Sequence, residues 1–219
     1  DNLSVAWEYP GQSQQVIPAS YGRIPIPQWS ESPTMAPTSM APTTMAPTTT
    51  TAMPTSLDLG TGASIETWTN VGGTTLNAID WNSQPNQNDV FSGEGEAVLE
   101  GPVNNAENYA ERIRTYLVPP VTGSYTFWIA SDDQGSLLLS SDSDPANAIE
   151  IASVPYWANP REYGKYPEQR SDAISLVAGE VYFLEAKMKE GGGGDNLSVA
   201  WEYPGQSQQV IPASYGRIP

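Results

Sequence analysis

Two short stretches of this chain carry residue types suited to metal chemistry. Ser131-Asp132-Asp133-Gln134-Gly135 joins two carboxylates, and Glu190-Gly-Gly-Gly-Gly-Asp195-Asn196 flanks four glycines with two more. Adjacent side chains of a regular strand point to opposite faces. Asp132 and Asp133 therefore converge on one ion only where the backbone between them leaves strand geometry, as it would across a cis peptide. Read alone, the same residues also make an ordinary hairpin connection. Four consecutive glycines weaken strand pairing and read as a mobile loop, or else their bare carbonyls turn inward as hard oxygen ligands. Phosphate cradling is disfavoured, because no Lys-Ser/Thr follows the glycines, no helix opens there and the chain is acidic. Taken together the two loops offer the carboxylates of Asp132, Asp133 and Asp195 with loop carbonyls, and neither nitrogen nor sulfur. That donor set suits Ca²⁺. About five protein oxygens would leave roughly one to three of calcium's positions for vicinal hydroxyls of a sugar.

Composition narrows the alternatives. The 219 residues hold 9 Lys+Arg against 25 Asp+Glu, a net charge of −16, so the clustered cations that grip phosphate are missing and a nucleic-acid partner is excluded. With no Cys and no His, disulfide frameworks, thiolate or imidazole zinc sites and histidine-based catalytic triads are excluded as well. No run of eighteen apolar residues exists, so membrane insertion is not expected. The chain opens at Asp1 without a signal-peptide pattern and reads as a fragment of something longer.

The elements that must position the two loops are strands. Residues 112–118, 123–129, 136–139, 173–177, 181–186 and 197–203 alternate or run apolar, each bounded by Gly, Pro, Asn or Asp. Many short strands with turn-rich connections predict an all-β sandwich or barrel, and about 160 residues can build such a core without disulfides. Residues 105–111 hold helix formers but lead into the next strand. Residues 1–25 recur unchanged as 195–219. Residues 1–31 thus read as the last strands of an upstream repeat, 57–219 as one whole β-sandwich domain, and an engineered or permuted chain as the alternative. Two identical copies could compete for one sheet position, which allows strand exchange between repeats; the C-terminal copy, joined directly to the domain, is expected to hold it. Between the repeats, 32–56 is a Thr/Pro/Met-rich linker in which Met-Ala-Pro-Thr recurs, spanning roughly 75 Å at about 3.1 Å per residue. It is similar in composition to O-glycosylated stalks and equally compatible with a plain disordered linker.

Residues 119–140, 161–205 and the opening Glu66-Thr-Trp-Thr-Asn-Val-Gly-Gly73 together resemble the domain named after the N-terminal part of anthrax protective antigen, a family that includes flocculins, epithelial adhesins and bacterial sugar-binding modules. The resemblance covers essentially 57–219. It implies a jelly-roll-like antiparallel β-sandwich that binds carbohydrate through Ca²⁺, with the aspartate pair joined by a cis peptide. Carried over by position, Asp132 and Asp133 would chelate calcium and accept hydrogen bonds from sugar hydroxyls, and Gly192 and Gly194 would supply main-chain carbonyls. Asp195 is the expected third carboxylate, with Glu190 standing where fungal members place a side-chain amide.

Other residues divide between packing and recognition. Trp128, Phe183 and Trp201 lie on strand positions and read as core, whereas Tyr156, Trp157 and Tyr163, in a Pro-containing loop, read as sugar-stacking candidates. Gln134, beside the pair, joins Asp132, Asp133, Asp195 and Trp157 in the expected sugar-binding set. Arg112 and Arg114 read as surface or ion-paired. The sequons at Asn2 and Asn196 are acceptors in form, the second bordering the calcium loop. The resulting expectation is a non-catalytic, calcium-dependent lectin module of an extracellular or cell-surface adhesin, repeated so that avidity multiplies weak single sites. The alternative is a spacer domain whose calcium only braces two loops. A glycoside hydrolase is disfavoured because adjacent Asp132 and Asp133 cannot easily occupy opposite faces of one sugar.

Overall fold

The computed structural model describes residues 60–219 apart from positions 94 and 96, together with two short strands, β1 (Ala6–Trp7) and β2 (Gln15–Val16). The linker 32–56 and the Asn2 sequon lie outside the described residues. The chain divides into two units, Asp1–Thr51 and Ala52–Pro219. In the first, β1 and β2 pair antiparallel.

The second unit is a sandwich of two antiparallel sheets, as the alternating runs predict. Its strands are β3 (Gly62–Trp68), β4 (Gln87–Ser92), β5 (Tyr109–Leu117), β6 (Gly123–Asp132), β7 (Gly135–Leu139), β8 (Ile149–Val154), β9 (Ile174–Leu176), β10 (Tyr182–Glu190), β11 (Asn196–Tyr203), β12 (Gln206–Val210) and β13 (Gly216–Arg217). One sheet runs β4-β3-β5-β10-β7-β8, with β13 also on β5, and the other β12-β11-β6-β9. Among the described residues the helical elements are short 3₁₀ turns, and no helix is long and apolar enough to cross a membrane. Of the weak helical hint at 105–111, residues 109–111 begin β5 and 105–108 are neither helix nor strand.

Period-two patterning explains the core. Tyr125, Phe127 and Ile129 of β6 face Val199 and Trp201 of β11 in one buried cluster with Ile113, Leu137, Leu184 and Met188 of the opposite sheet. Trp201 is its largest member, with ring centroids 5.5 Å from Tyr125, 5.1 Å from Tyr203 and 5.2 Å from Tyr215. Burying one such side chain stabilises by about 1.5–3 kcal/mol. Trp128, Phe183 and Trp201 are all buried, as their strand positions predict. Across the outer face of the first sheet, Glu66 accepts from Arg112 Nε and Arg114 Nη2, both at 2.7 Å, so these two arginines are ion-paired. The Arg112 guanidinium also lies 5.0 Å from the Trp68 ring centroid.

Glu111 is an unpaired acid inside this structure. It is 1% exposed, neither carboxylate oxygen has a hydrogen-bond partner, and a Cβ on Gly101 would stand 1.9 Å from its Oε1. Burial first, then the negative charge of Asp195, raises its pKa from 4.5 to about 8. A carboxyl raised in the folded state contributes stability that is complete below its unfolded pKa and is lost as pH climbs to the folded one. The window here is about 4.5 to about 8. Relative to Glu111→Gln, which cannot titrate, the melting temperature of the wild type should fall from pH 5 to pH 8 and level off above; calorimetry across that range reads the difference.

Candidate metal and carbohydrate site

The two loops meet because of how the strands around them pair. β6 and β7 belong to different sheets, so the turn between them, carrying Asp132 and Asp133, crosses from one sheet to the other. β10 and β11 also belong to different sheets, so the glycine loop crosses too. β6 pairs with β11, setting Asp132 opposite Asn196, and β7 pairs with β10, setting Gly135 opposite Met188. The crossings therefore run side by side. Backbone bonds lock them: Asp133 N–H donates to Lys189 O and Lys189 N–H to Gln134 O, each at 3.0 Å. The Asp132–Asp133 peptide is cis.

Three carboxylates converge here. One oxygen from each of Asp132, Asp133 and Glu190 lies within 4.8 Å of the others. Glu190 is fully buried and neither of its oxygens has a partner. Burial, then the charges of Asp133 and Asp132, lifts its pKa to about 7. Burial followed by the neighbouring Asp133 lifts Asp132 to about 6. The fully buried Lys189 ammonium is spent on Glu190's main-chain oxygen, and burial pushes its pKa down. Hard oxygens with this much uncompensated negative charge match a divalent cation such as Ca²⁺.

Asp195, expected from sequence as the third carboxylate, is not one of the three that converge. Its Oδ1 accepts from Asn105 N–H at 3.0 Å and Tyr109 O–H at 2.9 Å, and its Oδ2 accepts from Ala106 N–H at 3.1 Å. Its main-chain oxygen accepts from Asn104 N–H at 3.0 Å. The side chain is thereby a clamp on residues 104–109. Glu190 continues the inward alternation of Leu184, Ala186 and Met188 along β10, a signal present in the sequence but overshadowed by the loop beside it.

The glycine loop is exposed from Gly192 to Gly194, yet side chains approach it at two points. A Cβ at Gly192 would stand 2.5 Å from Glu107 Oε2, and one at Gly194 would stand 3.3 Å from Asn104 Oδ1 and 3.8 Å from Asp132 Oδ2. Gly193, at φ 124°, donates its N–H to Glu107 at 3.2 Å. The aspartates and the loop are thus in contact range, although no sequence signal marks Asn104 or Glu107.

Beside the carboxylates lies a groove of about 560 Å³ lined by Thr74, Thr75, Asp133, Gln134, Tyr156 and Trp157 with Pro155. Tyr156 is 69% exposed and Trp157 45% exposed, and Trp157 forms a backbone bridge with Asp132. The Lys165 ammonium lies over the Trp157 ring, with no hydrogen-bond partner. Gln134 Oε1 is taken by Leu76 N–H at 2.8 Å, which leaves its amide group as a donor. Thr74 and Thr75 reach the groove from a distant loop that sequence reading gave no reason to select. Tyr163 does not line it; its hydroxyl donates to Ser198 Oγ at 3.0 Å. The Asn196 sequon is closed by the fold, since the side chain is 2% exposed and its amide donates to Ala158 O at 2.9 Å.

Residues 66–215 match the PA14 domain. The chain belongs to the PA14 domain family. A Mus musculus protein named N-acetyl-beta-glucosaminyl-glycoprotein 4-beta-N-acetylgalactosaminyltransferase 1 is 32% identical over 116 residues, 50% of this chain and 11% of that protein. This chain spans 2% to 11% of the length of the curated relatives it matches. Among solved structures, the epithelial adhesin 6 A domain of Candida glabrata, in complex with Galb1-3GlcNAc, has TM-score 0.54 at 13% identity over 74% of this chain and 88% of that one. A PA14 sugar-binding domain from an RTX adhesin gives 0.54 at 10% identity over 73% and 99%. At these identities the likeness is one of fold.

Asp195 and Glu190, the buried acids on either side of the glycines in this PA14 domain, should respond in opposite ways to substitution. Asp195→Ala orphans donors that each cost about 1–3 kcal/mol when unsatisfied, and should lower the melting temperature in chelator. Glu190→Gln removes a charge that nothing neutralises, and should leave melting within about 1 kcal/mol of wild type or raise it. Calorimetry on the pair in chelator tests both.

Proposed function

We propose that this PA14 domain is a calcium-dependent glycan-binding module of a cell-surface or extracellular protein, and not a catalyst. The observation that carries the reading is the convergence of Asp132, Asp133 and the unpartnered, buried Glu190 beside a groove with exposed Trp157. Asp132, Asp133 and Glu190 would hold the ion together with the main-chain oxygens of Gly192 and Gly194, with Glu190 taking the third carboxylate position in place of Asp195. The ion would offer open positions to vicinal hydroxyls, a use that suits millimolar extracellular calcium. Asp132 and Asp133 would accept hydrogen bonds from the same hydroxyls, the Gln134 amide would donate, and Trp157 with Tyr156 would stack on the apolar face of the sugar. Asp195 would act at one remove, holding the segment against which the glycine loop packs.

Support for a glycan as the ligand comes from the epithelial adhesin 6 domain, solved with a disaccharide bound. The acids at this site share one turn and one neighbouring loop rather than opposing walls of a cleft, which favours binding over glycosidic cleavage.

The deciding experiment is retention of the full chain on a glycan array in calcium and in chelator, with calcium titration by calorimetry alongside. Asp133→Ala should lose calcium-dependent retention at least tenfold while its melting in chelator stays that of the wild type; retention unchanged by the substitution overturns the reading. Calcium binding without retention of any glycan would leave only a bracing role. Ligating carboxylates must be deprotonated, so calcium affinity should fall as pH drops through about 7 and then about 6, where Glu190 and Asp132 take up protons.

A further inference from the structure

The last strands of the sandwich are present twice in the chain. Residues 195–219 supply β11, β12 and β13, and residues 1–25 repeat them without a change. In the sandwich this segment ties the two sheets together: β11 pairs with β6 in one, while β13 pairs with β5 in the other, Gly216 opposite Leu117. It also contributes Leu197, Val199, Trp201, Ile211 and Ala213 to the core.

The first copy pairs in the same register as the second. Ala6 stands opposite Val16 and Trp7 opposite Gln15, matching Ala200 opposite Val210 and Trp201 opposite Gln209. The pairing information is thus local to the segment. A lone two-stranded hairpin is marginal in water, and this one carries the sequence of strands that bury a tryptophan when they have a sandwich to complete. The sandwich of residues 60–219 already holds its own final strands, so the first copy is surplus to it.

We infer that residues 1–25 are a strand donor, completing the sandwich of a separate copy of this domain in the place that 195–219 fill here. The exit geometry accommodates this. In the filled slot the segment ends beside the start of the domain, with Ile218 N–H donating to Gly60 O at 2.8 Å and Thr61 bridged to Arg217. A donor seated there would leave the acceptor at its surface and run on into its own linker without threading the fold.

The test uses the full chain and a synthetic peptide of residues 1–25. Trp7→Asp/Trp201→Asp disables both copies and should lack the cooperative thermal transition of the wild type. Equimolar wild-type peptide should restore at least half of the transition amplitude, while the peptide carrying Trp7→Asp should restore none. Restoration by neither peptide, or equally by both, overturns the inference. Trp201→Asp alone, which keeps an intact first copy, provides the second readout: it should retain a transition that the double variant lacks, at a midpoint that rises with chain concentration, and equal behaviour of the two chains or a midpoint independent of concentration also overturns it.

Discussion

The site depends on antiparallel pairing at two places, β6 with β11 and β7 with β10. Each strand of one pair is joined to a strand of the other by a connection that changes sheets, so both connections are forced to the same end of the sandwich. Positions nearly sixty residues apart become neighbours with no helix, disulfide or long lid to hold them. Hydrogen bonds that begin as ordinary ladder contacts continue into the turns, and the spacing of the carboxylates is set by the sheets rather than by the loops alone.

Charge is what makes this end of the molecule unusual, and the acids there are handled in different ways. Asp195 is saturated by backbone and tyrosine donors and behaves as an internal cap. Glu111, buried without a partner near the charge of Asp195, holds its proton into the neutral range. Asp132, Asp133 and Glu190 have neither solution in full: one amide, Gly191 N–H, reaches Asp133, and no cation reaches Glu190's oxygens within the described residues. Protonation near neutral pH, or the proposed ion, would balance them. Asp195 is thus set apart from the converging three by the donors its neighbours supply.

Much of the fold was legible in the sequence, because core residues recur at every second position of β6, β10 and β11, burial alternates along most of β5, and turn residues mark the strand ends. Strands β3, β4, β8, β12 and β13 were not picked out; of these, β4 and β12 have largely polar sequences, Gln-Asn-Asp-Val-Phe-Ser and Gln-Ser-Gln-Gln-Val, and occupy sheet edges with little burial to leave a pattern. At the site, the aspartate pair and the glycine loop could be read from residue type alone. Which of two acids bracketing the glycines points at the pair could not, since that depends on donors from residues 104–109, far off in sequence. The groove's threonines were equally hidden, for their place follows from the packing of a loop against the turn.

The contact between Gly60 and Ile218 also sets how the domain would bear load. Its two ends leave from adjacent antiparallel positions, so a pull on the tethers separates them sideways. Under that geometry hydrogen bonds break in succession, beginning at β13, and not all at once as in shear. Loaded through these ends, the domain would therefore open by unzipping from its last strand.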